Sequence, residues 1–220
     1  MSASTPPADA EQSTRSPVFG VVTDAQTYKN LLYLLVRFPL GIAYFVVLVA
    51  GVTLGAVLAI FLVGFAILAT VIAGATYAGS LETVLANQLL GTDISYEPHD
   101  PGEEPLVEYT KGVLTDVQSY VLLAYMALSF PVGIGLFTLA AIVLTFSLVA
   151  ILAPFTYWLP FTEYQIANID GVGQIVVDTL PEALALAAVG VVTAFLGLHL
   201  CNALARLHGV VTATVLDQDR

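Results

Sequence analysis

Apolar and polar positions along this chain sort into four long apolar blocks separated by polar or acidic stretches. The blocks cover about residues 24–50, 55–78, 116–152 and 183–205. Apolar runs of more than about 18 residues predict membrane-spanning helices. The first helix is roughly 40 Å long at 1.5 Å per residue, against a hydrocarbon core of about 30 Å. Its first two turns are therefore expected at the headgroups, a level that suits Tyr28 and Tyr33. Residues 51–54 read as a tight turn, although Gly51-x-x-x-Gly55 also fits a close helix–helix contact. Leu81, Val84, Leu85 and Leu89 keep a helical period until Gly91 breaks it. That predicts a short amphipathic helix on the inner membrane surface. Residues 91–105 form an acidic, proline-containing loop, and residues 153–181 are the longest connection between spans. Within that connection residues 165–177 mix β-branched residues with Gly171 and Gly173 and fit a small hairpin. Leu207, Val210, Val211 and Val215 keep a helical spacing in the closing tail.

One block is written twice. Residues 20–45 and residues 112–137 align without a gap, 92 positions apart, and half of the aligned positions are identical. Shared residues include Thr23/Thr115, Asp24/Asp116, Gln26/Gln118, Tyr28/Tyr120, Tyr33/Tyr125, Phe38/Phe130, Pro39/Pro131 and Gly41/Gly133. Apolar helices match one another easily at Leu and Val, but not at a fixed Thr-Asp-x-Gln-x-Tyr. The pattern reads as an internal duplication, with a first repeat over about residues 20–91 and a second over about 112–216. Thr23-x-x-Gln26 and Thr115-x-x-Gln118 read as capping boxes that open each helix. Pro39 and Pro131 each remove one helical hydrogen bond, so a kink is expected at both. Gly41 and Gly133 leave room there for a neighbouring helix. These four residues are candidate hinges; kinks serving packing alone are the plainer reading.

The expected fold is therefore all-α and integral to the membrane. Four transmembrane helices form two tandem hairpins, with short cytoplasmic amphipathic helices and one longer outer loop. Residues 1–19 and 217–220 read as polar tails. The first has no basic stretch followed by an apolar one and is not a signal peptide. All six basic residues, Arg15, Lys29, Arg37, Lys111, Arg206 and Arg220, fall on one side if both termini are cytoplasmic. That asymmetry orients the chain in the cell membrane and makes the two repeats parallel. The lipid bilayer is then the first partner, and the absence of a basic patch excludes nucleic acid. A net charge of −11, carried by tails and loops, is expected of a halophilic archaeon.

Candidate chemistry is sparse. Arg37 lies inside the first span, where its counterpart is Ser129. It either snorkels to the near headgroups or pairs with Glu82 or Asp116 across the bundle. The outer connection carries Tyr157, Trp158, Phe161, Glu163, Tyr164, Asp170 and Asp178. They form either a stimulus-sensing surface or an interfacial belt. His199 and His208 lack a metal-ligand spacing and read as packed histidines. No nucleophile, phosphate-loop or metalloprotease motif is present, so no enzymatic activity, metal or cofactor is expected.

Several stretches together resemble a known group. Tyr33-Leu-Leu-Val-Arg-Phe-Pro-Leu-Gly-Ile-Ala-Tyr-Phe-Val-Val-Leu-Val49 is similar to the start of the putative-sensor family of prokaryotic membrane proteins. Leu81-Glu82, Leu89-Leu90-Gly91, Val177-Asp178-Thr179-Leu180-Pro181-Glu182-Ala183-Leu184 and Leu204-Ala205-Arg206-Leu207-His208 carry the same likeness, which spans about residues 28–216. The resemblance implies a four-helix domain that often precedes a cytoplasmic histidine kinase and takes in a signal at the membrane. Thr83 stands where relatives have Arg. The sequence ends at Arg220 without a kinase, so the expected partner is a separate histidine kinase or another cytoplasmic signalling protein. A second copy of the chain is a further candidate partner. The rival expectation is a small permease or an accessory transporter subunit, which calls for polar residues at mid-membrane. Here the spans offer only Thr53, Thr70, Thr193 and His199.

Overall fold

The computed structural model describes residues 19–61, 63–98, 111–112, 114–159, 164–169 and 173–216. Four helices make up the bundle: α1 (Ala25–Leu58), α2 (Val63–Leu85), α3 (Val117–Thr156) and α4 (Leu180–Leu216). Each is long and apolar enough to cross a membrane. Between α3 and α4 lies an antiparallel hairpin of β1 (Gln165–Ile169) and β2 (Gly173–Val176). Burial differs from that of a water-soluble bundle. The buried face of α1 includes Asn30, Tyr33, Leu34, Arg37, Gly41, Tyr44 and Gly55, while Val46, Val47 and Val57 are exposed. Polar and small side chains join the apolar ones inside, and many large aliphatic ones are left for lipid.

Helix starts and ends depart from the sequence expectation in five places. The cap of α1 is Asp24, whose carboxylate accepts from the Gln26 N–H at 2.9 Å. Asp116 does the same for α3, accepting from Gln118 and Ser119. A carboxylate at the N-cap is the stronger acceptor and also answers the helix dipole, so neither threonine opens a capping box. The freed Gln26 and Gln118 side chains reach across the bundle instead. Each donates to a carbonyl at the end of another helix, Leu89 at 2.7 Å and Val215 at 2.8 Å.

No turn forms at residues 51–54. Helix α1 runs to Leu58 and hands over through a 3-10 turn, Ala59–Phe61. Gly51 and Gly55 instead let α2 approach. A Cβ on Gly51 would sit 2.2 Å from Val71 Cγ2, and one on Gly55 would sit 2.7 Å from Leu68 Cγ. Nor does a separate surface helix follow the second span. Helix α2 continues through Leu85 into a π-helical turn, Ala86–Leu90, closed by Gly91 at φ 69°. The amphipathic reading is inverted: Leu81 and Val84 are exposed, whereas Glu82 and Thr83 are buried. The closing tail is the last part of α4, with His208, Thr212 and Leu216 buried.

The α1–α3 crossing is reciprocal. A Cβ on Gly41 would lie 2.7 Å from the Ser129 carbonyl oxygen, and a Cβ on Gly133 would lie 2.6 Å from that of Arg37. Phe38 stacks on Phe137 at 4.8 Å, and Phe45 stacks on Phe130 at 4.6 Å. Each contact recurs with its partners exchanged, at positions 92 apart. Pro39 and Pro131 lie inside unbroken helices, on the exposed side of the crossing.

Candidate functional site

Side chains of three helices meet around one guanidinium, and the fourth helix joins through a tyrosine. Arg37 on α1 is 1% exposed and pairs through Nη1 with Glu82 Oε2 on α2, which is fully buried. Its Nη2 donates to Ser129 Oγ at 3.2 Å and to the Tyr125 hydroxyl at 3.3 Å, both on α3. The rings of Tyr33 and Tyr125 flank the guanidinium, with centroids 5.7 and 5.8 Å from Cζ. At that range each aromatic face adds cation–π attraction. Tyr125 passes the network on to Thr212 of α4 at 3.0 Å. Tyr33 bonds His208 Nδ1 at 2.8 Å. Thr212 donates to the His208 carbonyl at 3.0 Å. Thr212 Oγ1 also lies 3.3 Å from the same Nδ1, and the histidine tautomer sets which of the three groups donates there.

The tyrosines expose the same exchange of partners as the crossing below them. Tyr125 meets an acid on α2, and Tyr33 meets a histidine on α4. Arg37 and Ser129, equivalent in sequence, meet in space. The node is not fully satisfied: Arg37 Nε, Glu82 Oε1 and the Tyr44 hydroxyl are buried without a hydrogen-bond partner among the described residues. One turn nearer the bundle end a second polar chain ties α1 to α4. Asn30 donates to Asn202 Oδ1 at 2.8 Å, and Asn202 donates to Thr27 at 3.0 Å.

The candidates in the connection between α3 and α4 lie elsewhere. Tyr157 and Tyr164 are half-buried against the apolar cluster of Ala150, Ala153, Val177 and Ala183. The Tyr164 hydroxyl bonds Thr156 Oγ1. Trp158 and Asp178 are exposed, the tryptophan at 68%. The Asp178 and Thr179 N–H groups donate to Glu182, which caps α4. Phe161, Glu163 and Asp170 lie outside the described residues. No group of His, Cys, Asp or Glu fit to hold a metal occurs among the described residues. Tyr33, Tyr125, Ser129, His208 and Thr212 are site residues that the spacing of the sequence does not single out. The signal that was available is the Tyr33/Tyr125 identity beside the Arg37/Ser129 difference.

A family model described as "Putative sensor" matches residues 33–216, the whole of the node included. The chain belongs to that family. It is a membrane protein of sensor type, with four helices fit to span. Neither a curated protein nor a solved structure matches it. Tyr33, Arg37, Glu82, Tyr125, Ser129, His208 and Thr212 all fall within the matched span.

Proposed function

We propose that this chain relays an outer or in-membrane stimulus to a cytoplasmic signalling protein, a histidine kinase being one such partner, without catalysing a reaction itself. The observation that carries the reading is the Arg37 node. A desolvated ion pair is a poor stabiliser but a good register device. This one touches α1, α2 and α3 directly and α4 through Tyr125, so moving any helix changes its contacts. Its unpartnered Arg37 Nε and Glu82 Oε1 offer a second set of bonds at small cost. Two arrangements that differ by little energy are what a weak stimulus needs to shift a population.

In this reading the protein is two copies of one helical hairpin set side by side in the cell membrane. Both termini and the Gln26–Asn202 polar chain face the cytoplasm, and the β1–β2 connection faces outward. The Pro39–Gly41 and Pro131–Gly133 turns are the hinges on which the crossing moves. Output leaves through the last turns of α4, which the node and the polar chain both hold.

The test is partner output in proteoliposomes, after the partner is recovered by co-purification from native membranes. The Arg37→Met/Glu82→Leu double variant removes both charges and keeps the fold. It is expected to hold output at one level, with or without stimulus. A double variant that responds over the full wild-type range, or wild-type vesicles that conduct solute and show no partner, overturns the reading.

A further inference from the structure

The two halves of the node differ in one respect that gives the second half a ligand site. In the first half Arg37 closes over Glu82, which is fully buried. In the second half the equivalent of Arg37 is Ser129, and the short side chain leaves His208 on the wall of an open groove of about 500 Å³ between α3 and α4. That volume falls within the range of about 300–1,000 Å³ typical of ligand pockets. Val121, Leu128 and Val132 form one wall, and Leu204, Leu207 and Val211 form the other. The polar groups in the groove are Tyr125, Ser129 and His208. His208 Nδ1 is committed to Tyr33 and Thr212, which leaves Nε2, a donor or an acceptor according to the tautomer, with no hydrogen bond to any described residue.

We propose that this groove binds a neutral single-chain amphiphile, with a hydroxyl head, able to donate or accept, on His208 Nε2 and Ser129 and an aliphatic body along α3 and α4. The charge balance decides against a charged head. Arg37 is already answered by Glu82, and no Asp, Glu, Lys or Arg lines the groove. Position decides for a molecule taken from the bilayer. The groove starts one turn inside α3 and ends beside the last residue of α4. With the first two turns of the long helices at headgroup level, as the sequence leads one to expect for α1, the groove reaches from the headgroups into the hydrocarbon, the level that suits amphipathic groups. A bound head would touch Ser129 and Tyr125, both of which contact Arg37, and so would load the node directly. The proposal rests on the sensor reading for that consequence only.

The probe is a photoactivatable long-chain fatty alcohol, applied to the full chain in lipid nanodiscs with and without excess unmodified alcohol, and mapped by mass spectrometry. Labelling is expected on residues 121–136 and 204–215 and is expected to be competed. Leu128→Trp and Leu207→Trp fill the groove from two exposed positions, at 61% and 62%. Each should remove the competed label, while Val57→Trp on α1 keeps it. His208→Phe keeps an aromatic ring and removes both ring nitrogens. It should raise the alcohol needed for half-competition by about twofold to tenfold, the worth of one hydrogen bond. Label that is uncompeted, spread evenly over the lipid-facing surface, or retained in both tryptophan groove variants overturns the site. Binding is read without a partner. Absent labelling therefore removes the site and leaves the sensor reading standing; competed labelling with an output that ignores the alcohol keeps the site and removes its signalling role.

Discussion

Arg37→Met is the most informative single change, because its cost separates a fixed ion pair from a snorkelling arginine. The substitution keeps most of the side-chain volume and removes the charge. It deletes donors to Glu82, Ser129 and Tyr125 and leaves a fully buried carboxylate without a counter-charge. Breaking a buried pair from one side costs about 3–5 kcal/mol. With side chains 1% and 0% exposed, no discount for solvent screening applies. Glu82→Leu strands the guanidinium and should cost a similar amount. Removing both leaves neither ion, and such replacements are neutral or stabilising by about 1–4 kcal/mol. The double variant should therefore be more stable than either single variant. The assay is reversible unfolding of the three variants and wild type in mixed micelles, closed as a double-mutant cycle. A double variant whose loss equals the sum of the two single losses refutes the reasoning. It would mean that each charge finds water by itself.

The helix contacts make further predictions. Gly41→Ala and Gly133→Ala each drive a Cβ into backbone of the opposing helix and should cost about 1–3 kcal/mol apiece. Gly74→Ala and Gly135→Ala meet nothing within 4 Å and should gain up to about 1 kcal/mol of helix propensity; melting curves in detergent read both. Pro39→Ala and Pro131→Ala restore a backbone hydrogen bond and should leave the protein folded with a fixed partner output, so a full wild-type response range in both would reduce the prolines to packing features. Topology is read by cysteine labelling in a Cys201→Ser background: an impermeant reagent should reach Gln165→Cys from outside, and labelling of Gly102→Cys in its place would invert the orientation.

The four spans are legible because a long apolar run has one structural use in a membrane. Their ends are less so, since the signals that end a helix in water change meaning here. Gly51 and Gly55 look like a turn, yet a glycine inside a span removes a Cβ and admits a neighbouring helix. Leu81 and Val84 look like the buried side of a surface helix, yet in lipid the apolar face is the outward one and Glu82 is the core. Thr23-x-x-Gln26 matches a capping motif, but the adjacent Asp24 is the better acceptor. Arg37 is conspicuous in the sequence, with Glu82 one partner among several. Choosing between them needs a contact 45 residues apart along the chain, which periodicity does not supply. His208 closes one of the stretches that carry the family likeness, but nothing local ties it to Arg37; its place in the node follows from Tyr33 on another helix.

The mismatch between positions 37 and 129 follows from where they meet. Arg37 Nη2 lies 3.2 Å from Ser129 Oγ, and the α1–α3 crossing repeats its contacts with partners exchanged. A guanidinium at both positions would bring two like charges together. At about 4 Å and an effective dielectric of 20, their repulsion is about 4 kcal/mol, more than a second buried ion pair would return. One of the two positions has to be small and neutral. Once it is serine, an acid in the matching place would have no cation to answer it, and a histidine bonded to Tyr33 stands there instead. The short side chain at position 129 also leaves the α3–α4 wall open beside His208, whose Nε2 makes no hydrogen bond to a described residue. An ion pair on one side and an open groove with a polar ring nitrogen on the other thus have the same electrostatic cause. The same cause puts the groove within one side chain of the buried pair that it would act on.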